Sequence, residues 1–390
     1  MIGNRRVAVT GIGVVAKCGT GADAFWDGLL REPEPGPRRI DDFDASDLFG
    51  PKEIRRVDRY TQLAVRAAEE ALADAGEIGA DPDRSGVLIG TGVGGIHTLE
   101  EQIVLRHEKG ERRVSPFLVP MMMSNAAAAT VSMRFGWRGP CEATVTACAA
   151  STHAIGNAAR LIAMGLCDAV MTGGSEAAIT PTAVAGFANM TALSNVGISR
   201  PFDTERDGFV IAEGAGVLVL EEWEHAVARG AHIWGEVLGA ASTADAHHIT
   251  APSPDGSGAV RCMELALHDA GLAPGDIGHI NGHGTSTPLN DAAEAEAISK
   301  VFGPAGPPVT STKGVTGHAL GAAGALEAVA VLMSMKHQLI PPTIGLVNPD
   351  PEITIDLVRD EPRPWTPSPA LSNSFGFGGH NGCLLLGPAT

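Results

Sequence analysis

Short apolar runs and amphipathic stretches alternate along the whole chain, and the two periods separate into strands and helices. Runs at 7–10, 86–90, 168–172, 216–220, 233–238, 277–281, 309–311, 353–358 and 382–386 read as strands. Between Tyr60 and Ala75, the residues Leu63, Ala67, Ala68, Ala71, Leu72 and Ala75 recur at spacings of three and four, which puts them on one helical face. Helices are also expected over 151–164, 224–229, 260–270, 292–301 and 319–336. Such alternation predicts an α/β fold.

A soft boundary falls near Arg229 and Gly230, where one series of αβ units closes and another opens. It suggests two similar halves, 1–229 and 230–390, packed together. Segments 31–39 (rich in Pro), 193–208 and 246–257 carry little regular pattern and are expected to be surface loops of the kind that border an active site.

Composition narrows the picture. Hydrophobic residues make up 44% of the chain and aromatics only 4%, so the interior must be packed by Ala, Val, Leu and Ile. The 45 acidic and 28 basic side chains leave a net charge of −17, which argues against nucleic-acid or anionic-membrane binding because phosphate contacts draw on Lys and Arg. No apolar run approaches the roughly 20 residues that a bilayer requires. Arg5 and Arg6 lead straight into the first strand, without the apolar core of a secretory leader. The six cysteines are scattered, with neither CxxC pairs nor zinc spacing, and point to a reduced, cytoplasmic setting.

Several motifs carry candidate chemistry. Gly11, Gly13 and Ala16 follow the first strand in a loose dinucleotide pattern, but the expected helix and distal acidic residue are missing, so a tight turn in a packed sheet is the preferred reading. Cys148 sits between a strand-like run and a clear helix. At that place the free N–H groups and dipole of the helix would favour the thiolate, although from this motif alone a buried structural thiol is the preferred reading of a lone cysteine. His283 and His318 each lie just past a strand in Gly/Ser/Thr-rich loops, and Lys313 precedes His318 by five residues. In open α/β sheets ligands gather at the carboxyl ends of strands, so one cysteine and two histidines so placed point to a shared site. The segment from Asn373 to Asn381 reads as a Gly-rich turn whose N–H groups suit an oxyanion.

The segments Thr146-Ala-Cys148-Ala-Ala-Ser151, Glu205-Arg-Asp-Gly-Phe-Val210, His283-Gly-Thr-Ser-Thr-Pro288, Ser311-Thr-Lys313-Gly-Val-Thr-Gly-His318 and Asn373-Ser-Phe-Gly-Phe377-Gly-Gly379 resemble the β-ketoacyl-[acyl-carrier-protein] synthases with a Cys-His-His triad, most of all the synthase II branch. The resemblance implies a thiolase fold, five αβαβα layers made of two similar halves, in a cofactor-free homodimer. It implies decarboxylative condensation of an acyl thioester, carried on Cys148, with malonyl-[acyl-carrier-protein] in fatty acid elongation. His283 and His318 would bind the malonyl thioester carbonyl, and the N–H groups of Cys148 and Phe377 would form the oxyanion hole. Lys313 would support the second histidine.

By the same resemblance, Phe187 and Phe377 gate an acyl tunnel, and Thr285, Thr287 and Phe375 line the substrate path. Glu294 and Glu327 would orient Lys313 or hold a structural cation, with exposed helix charges as the alternative. The partner is an acidic acyl carrier protein, for which Lys52, Arg55, Arg56, Arg59 and Arg66 form a docking cluster, with Arg112 and Arg113 as a second pair. The chain departs from the family pattern at Gly282, usually Ala, at Asn290, usually Gly, and at His380, frequently Thr. Rival readings are a degradative thiolase, for which Cys383 would have to act as base, an elongating subunit of a type II polyketide or polyene pathway, and a chain-length partner without a nucleophile. The triad speaks against the first and Cys148 against the last.

Overall fold

The computed structural model describes residues 5–390. The first half of the chain forms β1 (Val7–Ala16), β2 (Gly19–Thr20), α1 (Ala22–Leu29), α2 (Arg59–Ala75), β3 (Ser85–Gly90), α3 (Ile96–Lys109), α4 (Leu118–Met122) and α5 (Ala126–Phe135). It continues through β4 (Cys141–Thr144), α6 (Ala150–Ala163), β5 (Ala169–Glu176), α7 (Pro181–Asn189), β6 (Gly214–Glu222) and α8 (Trp223–Ala228). The second half holds β7 (Gly235–Ala244), α9 (Ser257–Ala270), β8 (His279–Asn281), α10 (Pro288–Phe302), β9 (Val309–Thr310), α11 (Lys313–Thr316) and α12 (Ala323–His337). It ends with β10 (Leu339–Ile340), β11 (Arg363–Pro364), β12 (Ala370–Gly376) and β13 (His380–Gly387).

Strand order reads β4-β3-β5-β6-β1-β7-β13-β12-β8-β9. The succession is palindromic in kind: from the centre outward, each half runs first strand, last strand, penultimate strand, then two strands parallel to it. Among the described residues the two half-sheets pair only at Ala8 and Val9, opposite Glu236 and Gly235. Because the seam is so short, the two half-sheets turn their inner faces toward each other. Helices α6 and α12 pack between them, α2 and α5 cover one outer face, and α9 and α10 cover the other. This is the five-layer α/β arrangement of the thiolase fold. Helix α12 is buried from Ala323 to Met335, which explains why its sequence is apolar all round.

Glycines decide how closely the layers approach. Gly11 and Gly13 lie inside the continuous strand β1, so the tight-turn reading is corrected, and no nucleotide loop exists there. A Cβ on Gly11 would fall 2.1 Å from the Ala71 carbonyl, and one on Gly13 would fall 2.0 Å from that of Ala67. The two glycines are the groove in which the Ala-rich face of α2 rests. Helix α2 starts with the Asp58 carboxylate accepting the Tyr60 N–H and stops at Gly76, whose φ is 73°.

Two further expectations are corrected. The run 353–358 forms no strand: it gives β9 two hydrogen bonds at Val309, but the ladder cannot extend past Pro308, which has no N–H. The segment expected as a Gly-rich turn is mostly strand, in β12 up to Gly376 and in β13 from His380, and only Phe377 to Gly379 turn. Among the described residues no helix is long and apolar enough to cross a membrane.

Candidate active site

The chain from β4 into α6 makes a sharp turn in which Ala147 takes φ 50°, a left-handed conformation that a non-glycine residue holds only when its surroundings impose it. Cys148 follows in a 3₁₀ turn, ahead of α6. Strand β12 passes this turn so closely that a Cβ on Gly376 would sit 3.0 Å from the Cys148 nitrogen. That contact brings the Phe377 N–H onto Cys148. His318 comes from the other half: its N–H donates to the Val210 carbonyl (2.7 Å) and its carbonyl accepts from the Ala212 N–H (3.0 Å). Its Nε2 lies 3.1 Å from the Cys148 sulfur.

His283 stands past β8, where the Glu294 carboxylate accepts the N–H groups of His283 and Gly284, each at 2.7 Å. The rings of His283 and His318 cross nearly at right angles, 5.4 Å apart. The sulfur of Cys148 and one nitrogen of each histidine all lie within 4.8 Å of one another. All three side chains are buried.

Lys313 is wholly buried, and its placement corrects the expectation that it supports the second histidine. Its Nζ donates to the His283 carbonyl (2.6 Å), sits 3.2 Å from His283 Nδ1, and pairs with Glu327. An ammonium can only donate, so His283 Nδ1 accepts and its remaining proton is on Nε2. Glu294 and Glu327 therefore divide the tasks imagined for them. Glu294 holds backbone N–H groups and the Asn373 amide (3.2 Å), and Glu327 neutralises Lys313. Both are buried, so the exposed-charge alternative falls, and burial raises each carboxyl to about 7.

The electrostatics also overturn the expected resting thiolate. Burial pushes the Cys148 thiol up to about 11, against the opposing pull of the Phe377 N–H and the Lys313 charge. Burial and the Lys313 charge keep both histidines well below the ordinary imidazole value. At neutral pH the triad is thus a neutral thiol facing two neutral imidazoles.

A mostly apolar cavity of about 500 Å³ opens onto these groups. Phe187, Thr285, Thr287, Phe375 and Phe377 all line it, together with Thr250 to Pro252 from the loop expected to border the site. Phe187 packs 5.6 Å from Phe209 and 6.5 Å from Phe377. Sequence reasoning missed Phe209, whose ring stands edge-on to His318 at 5.0 Å. The signal was its place in the Glu205 to Val210 motif. It also missed Asp291, whose carboxylate accepts the N–H groups of Phe202 and Ser286 and braces the loop after His283.

The basic cluster is not uniform. Lys52, Arg55 and Arg56 are exposed, with Arg56 lying over Phe117. Arg59 is instead bound to buried Glu213 and the Ile40 carbonyl, and Arg66 pairs with exposed Asp47, so both are already engaged within the chain. Arg112 and Arg113 are exposed. The departures are accommodated locally. A Cβ on Gly282 would come within 3.3 Å of Glu294, and Asn290 donates to Asp291 at 3.1 Å.

A thiolase fold with a cysteine and two histidines converging from its two halves defines the condensing enzymes, acyltransferases that make carbon–carbon bonds from thioesters. Residues 38–226 match the β-ketoacyl synthase N-terminal domain and 234–347 match the C-terminal domain, and the chain belongs to the β-ketoacyl synthase family. It is 47% identical to 3-oxoacyl-[acyl-carrier-protein] synthase 2 of Synechocystis sp. and 45% identical to that of Staphylococcus aureus, over 98% of both chains in each case. Among solved structures it resembles the ishigamide ketosynthase/chain length factor (TM-score 0.94, 32% identity, 99% of this chain and 100% of that one). It also resembles a β-ketoacyl synthase from Burkholderia phymatum (TM-score 0.91, 35% identity, the same coverage).

Proposed function

We propose that this chain elongates fatty acyl groups by decarboxylative condensation, and the observation that carries the reading is the convergence of Cys148, His283 and His318 within 4.8 Å at the cavity. The Cys148 sulfur attacks the carbonyl of an acyl-[acyl-carrier-protein]. The thiol proton passes through His318 Nε2 to the departing carrier thiolate, leaving an acyl-Cys148 thioester. A neutral pair suits this transfer, because a sulfur that ionises only as it attacks needs no stable resting charge in a buried site. The N–H groups of Cys148 and Phe377 hold the tetrahedral oxyanion, each worth about 3–4 kcal/mol where such donors have been removed.

Malonyl thioester then enters. His283 Nε2–H donates to its carbonyl, and His318 joins as a second donor after exchanging its Nδ1 proton for one on Nε2, so loss of carbon dioxide leaves an enolate held by two hydrogen bonds. The enolate carbon attacks the acyl thioester, the sulfur departs as thiolate, and a 3-oxoacyl product two carbons longer is formed. Lys313 keeps the His283 proton on Nε2. Phe187 and Phe377 gate the acyl path, and Thr285, Thr287 and Phe375 guide the thioester arm.

The carrier docks through Lys52, Arg55 and Arg56, whose local positive charge offsets the overall −17 and complements an acidic partner. Residues 1–229 form the half that carries the nucleophile, and 230–390 the half that carries both histidines. The chain pairs with a second copy of itself in the cytoplasm. In support, β4 ends the sheet with an unpaired edge among the described residues, and α3 buries only Thr98 while leaving Ile103 and Val104 uncovered.

The likeness to ketosynthase/chain length factor assemblies favours one second reading, elongation of a specialised polyketide chain with the same triad. Mass spectrometry of the protein incubated with acyl-carrier proteins of graded chain length decides between them. A saturated acyl adduct on Cys148, absent from Cys148→Ala, supports fatty acid elongation. Adducts only from unsaturated or keto-acyl carriers support the second reading, and condensation by Cys148→Ala rejects the covalent step in both.

A further inference from the structure

Glu176 has no place in the chemistry above, yet it is completely buried beside it. It is the last residue of β5. One of its oxygens accepts the N–H groups of Gly92 (2.6 Å) and Gly321 (3.0 Å), and the other accepts the Thr91 hydroxyl (3.1 Å). Thr91 and Gly92 follow β3 in the first half of the chain, whereas Gly321 lies three residues past His318 in the second. The carboxylate thus ties the sheet of one half to a loop of the other. The tie is built for close approach: a Cβ on Gly321 would lie 2.2 Å from the Gly92 nitrogen, and one on Gly92 would lie 2.7 Å from the carboxylate itself.

The residue between His318's neighbour and this anchor is Leu320, with φ 45°. A branched residue keeps that backbone only where its surroundings over-determine it. His318 does not depend on the anchor, since residues 210–212 already hold its N–H and its carbonyl. Leu320 does, because Gly321 follows it directly. Its side chain packs with Cys148, Phe209 and Ile211 and lines the cavity.

We propose that Glu176 is a positioning residue for acyl transfer: through Gly321 it holds Leu320 as the wall of the cavity beside Cys148, and so sets how the acyl chain lies against the sulfur. The inference rests on the reading of Cys148 as the acyl carrier. It separates the two half-reactions, because the malonyl step uses histidines whose backbones are held by other groups.

The test compares the wild type with Glu176→Met, which keeps the length of the side chain but accepts neither glycine N–H, and with Thr91→Val, which removes the hydroxyl that donates to the carboxylate and accepts the Gly94 N–H. Cys148 acylation is followed by mass spectrometry with saturated acyl-carrier proteins of several lengths, and carbon dioxide release is followed with malonyl-carrier protein. In folded Glu176→Met, acylation kcat/KM should fall at least about tenfold with a raised KM and an altered length preference, while decarboxylation stays within about twofold; Thr91→Val should shift the same way by roughly threefold. Unchanged acylation, or equal losses in both half-reactions, overturns the proposal, and Thr91→Val decides it should Glu176→Met fail to fold. A wild type that acquires no acyl group on Cys148 would instead defeat the functional reading beneath it.

Discussion

Replacing Lys313 with Met separates what the buried ion pair does for folding from what it does for the reaction. Lys313 and Glu327 are both almost without solvent contact. Removing one partner of such a pair costs roughly 3–5 kcal/mol because the other charge is left unpaired. Glu327 can escape part of that cost by keeping a proton, and burial has already raised its carboxyl to about 7 beside the lysine. Without Lys313 its carboxyl rises further. The folded variant then holds a proton that the unfolded chain has lost, so its stability should fall as pH rises through and beyond neutrality, by about 1.4 kcal/mol per unit. Lys313→Met/Glu327→Leu removes the lone carboxyl and should recover most of the stability and abolish the extra pH slope, since apolar replacement of a buried pair is often neutral.

Activity should not follow. The ammonium fixes His283 Nδ1 as an acceptor, and once it is gone the Nε2 proton is no longer assured. Loss of one such donor lowers kcat by about 10²–10³. Urea unfolding between pH 6 and 8, read by tryptophan fluorescence, and product mass in a condensation assay measure the two effects. A double variant that condenses within about tenfold of wild type would refute the tautomer argument. A single variant that loses less than about 1 kcal/mol would refute the ion-pair argument.

Three other outcomes are expected. His279 is wholly buried against Trp365, and burial alone lowers its imidazole to about 3. The unfolded chain takes up that proton first as pH falls below about 6.5, so stability should drop by about 1.4 kcal/mol per unit between there and about 3; the His279→Phe curve should lack this component, and parallel curves would contradict it. Charge reversal at Arg55 and Arg56 should raise KM for carrier-bound substrate and spare a small thioester analogue, whereas Arg59→Glu should lower the melting temperature because it faces buried Glu213. Finally, Gly13→Val would drive a side chain into the α2 backbone and should destabilise by at least about 3 kcal/mol in denaturant titration, since no flexible side chain there can yield.

Local signals served well wherever the deciding interaction is itself local. The 3.6-residue spacing of Leu63, Ala67, Ala68, Ala71 and Ala75 specified the buried face of α2, and the cysteine and both histidines were legible from strand-end motifs. Helix α3 was missed because its apolar residues form no inward stripe, and only Thr98 is buried. Phe209 and Asp291 were missed because their contacts, with His318 and with Phe202, reach far across the chain.

The sequence by itself determined the α/β class and the identity of the three side chains that converge at the cavity, because hydrophobic period and motif are written in neighbouring residues. Tertiary structure decided their states. Which histidine Lys313 touches, whether the Cys148 thiol keeps its proton, and which arginines remain free all depend on burial and on partners brought from distant segments. Desolvation is a property of the assembled interior, and no stretch of chain carries it alone.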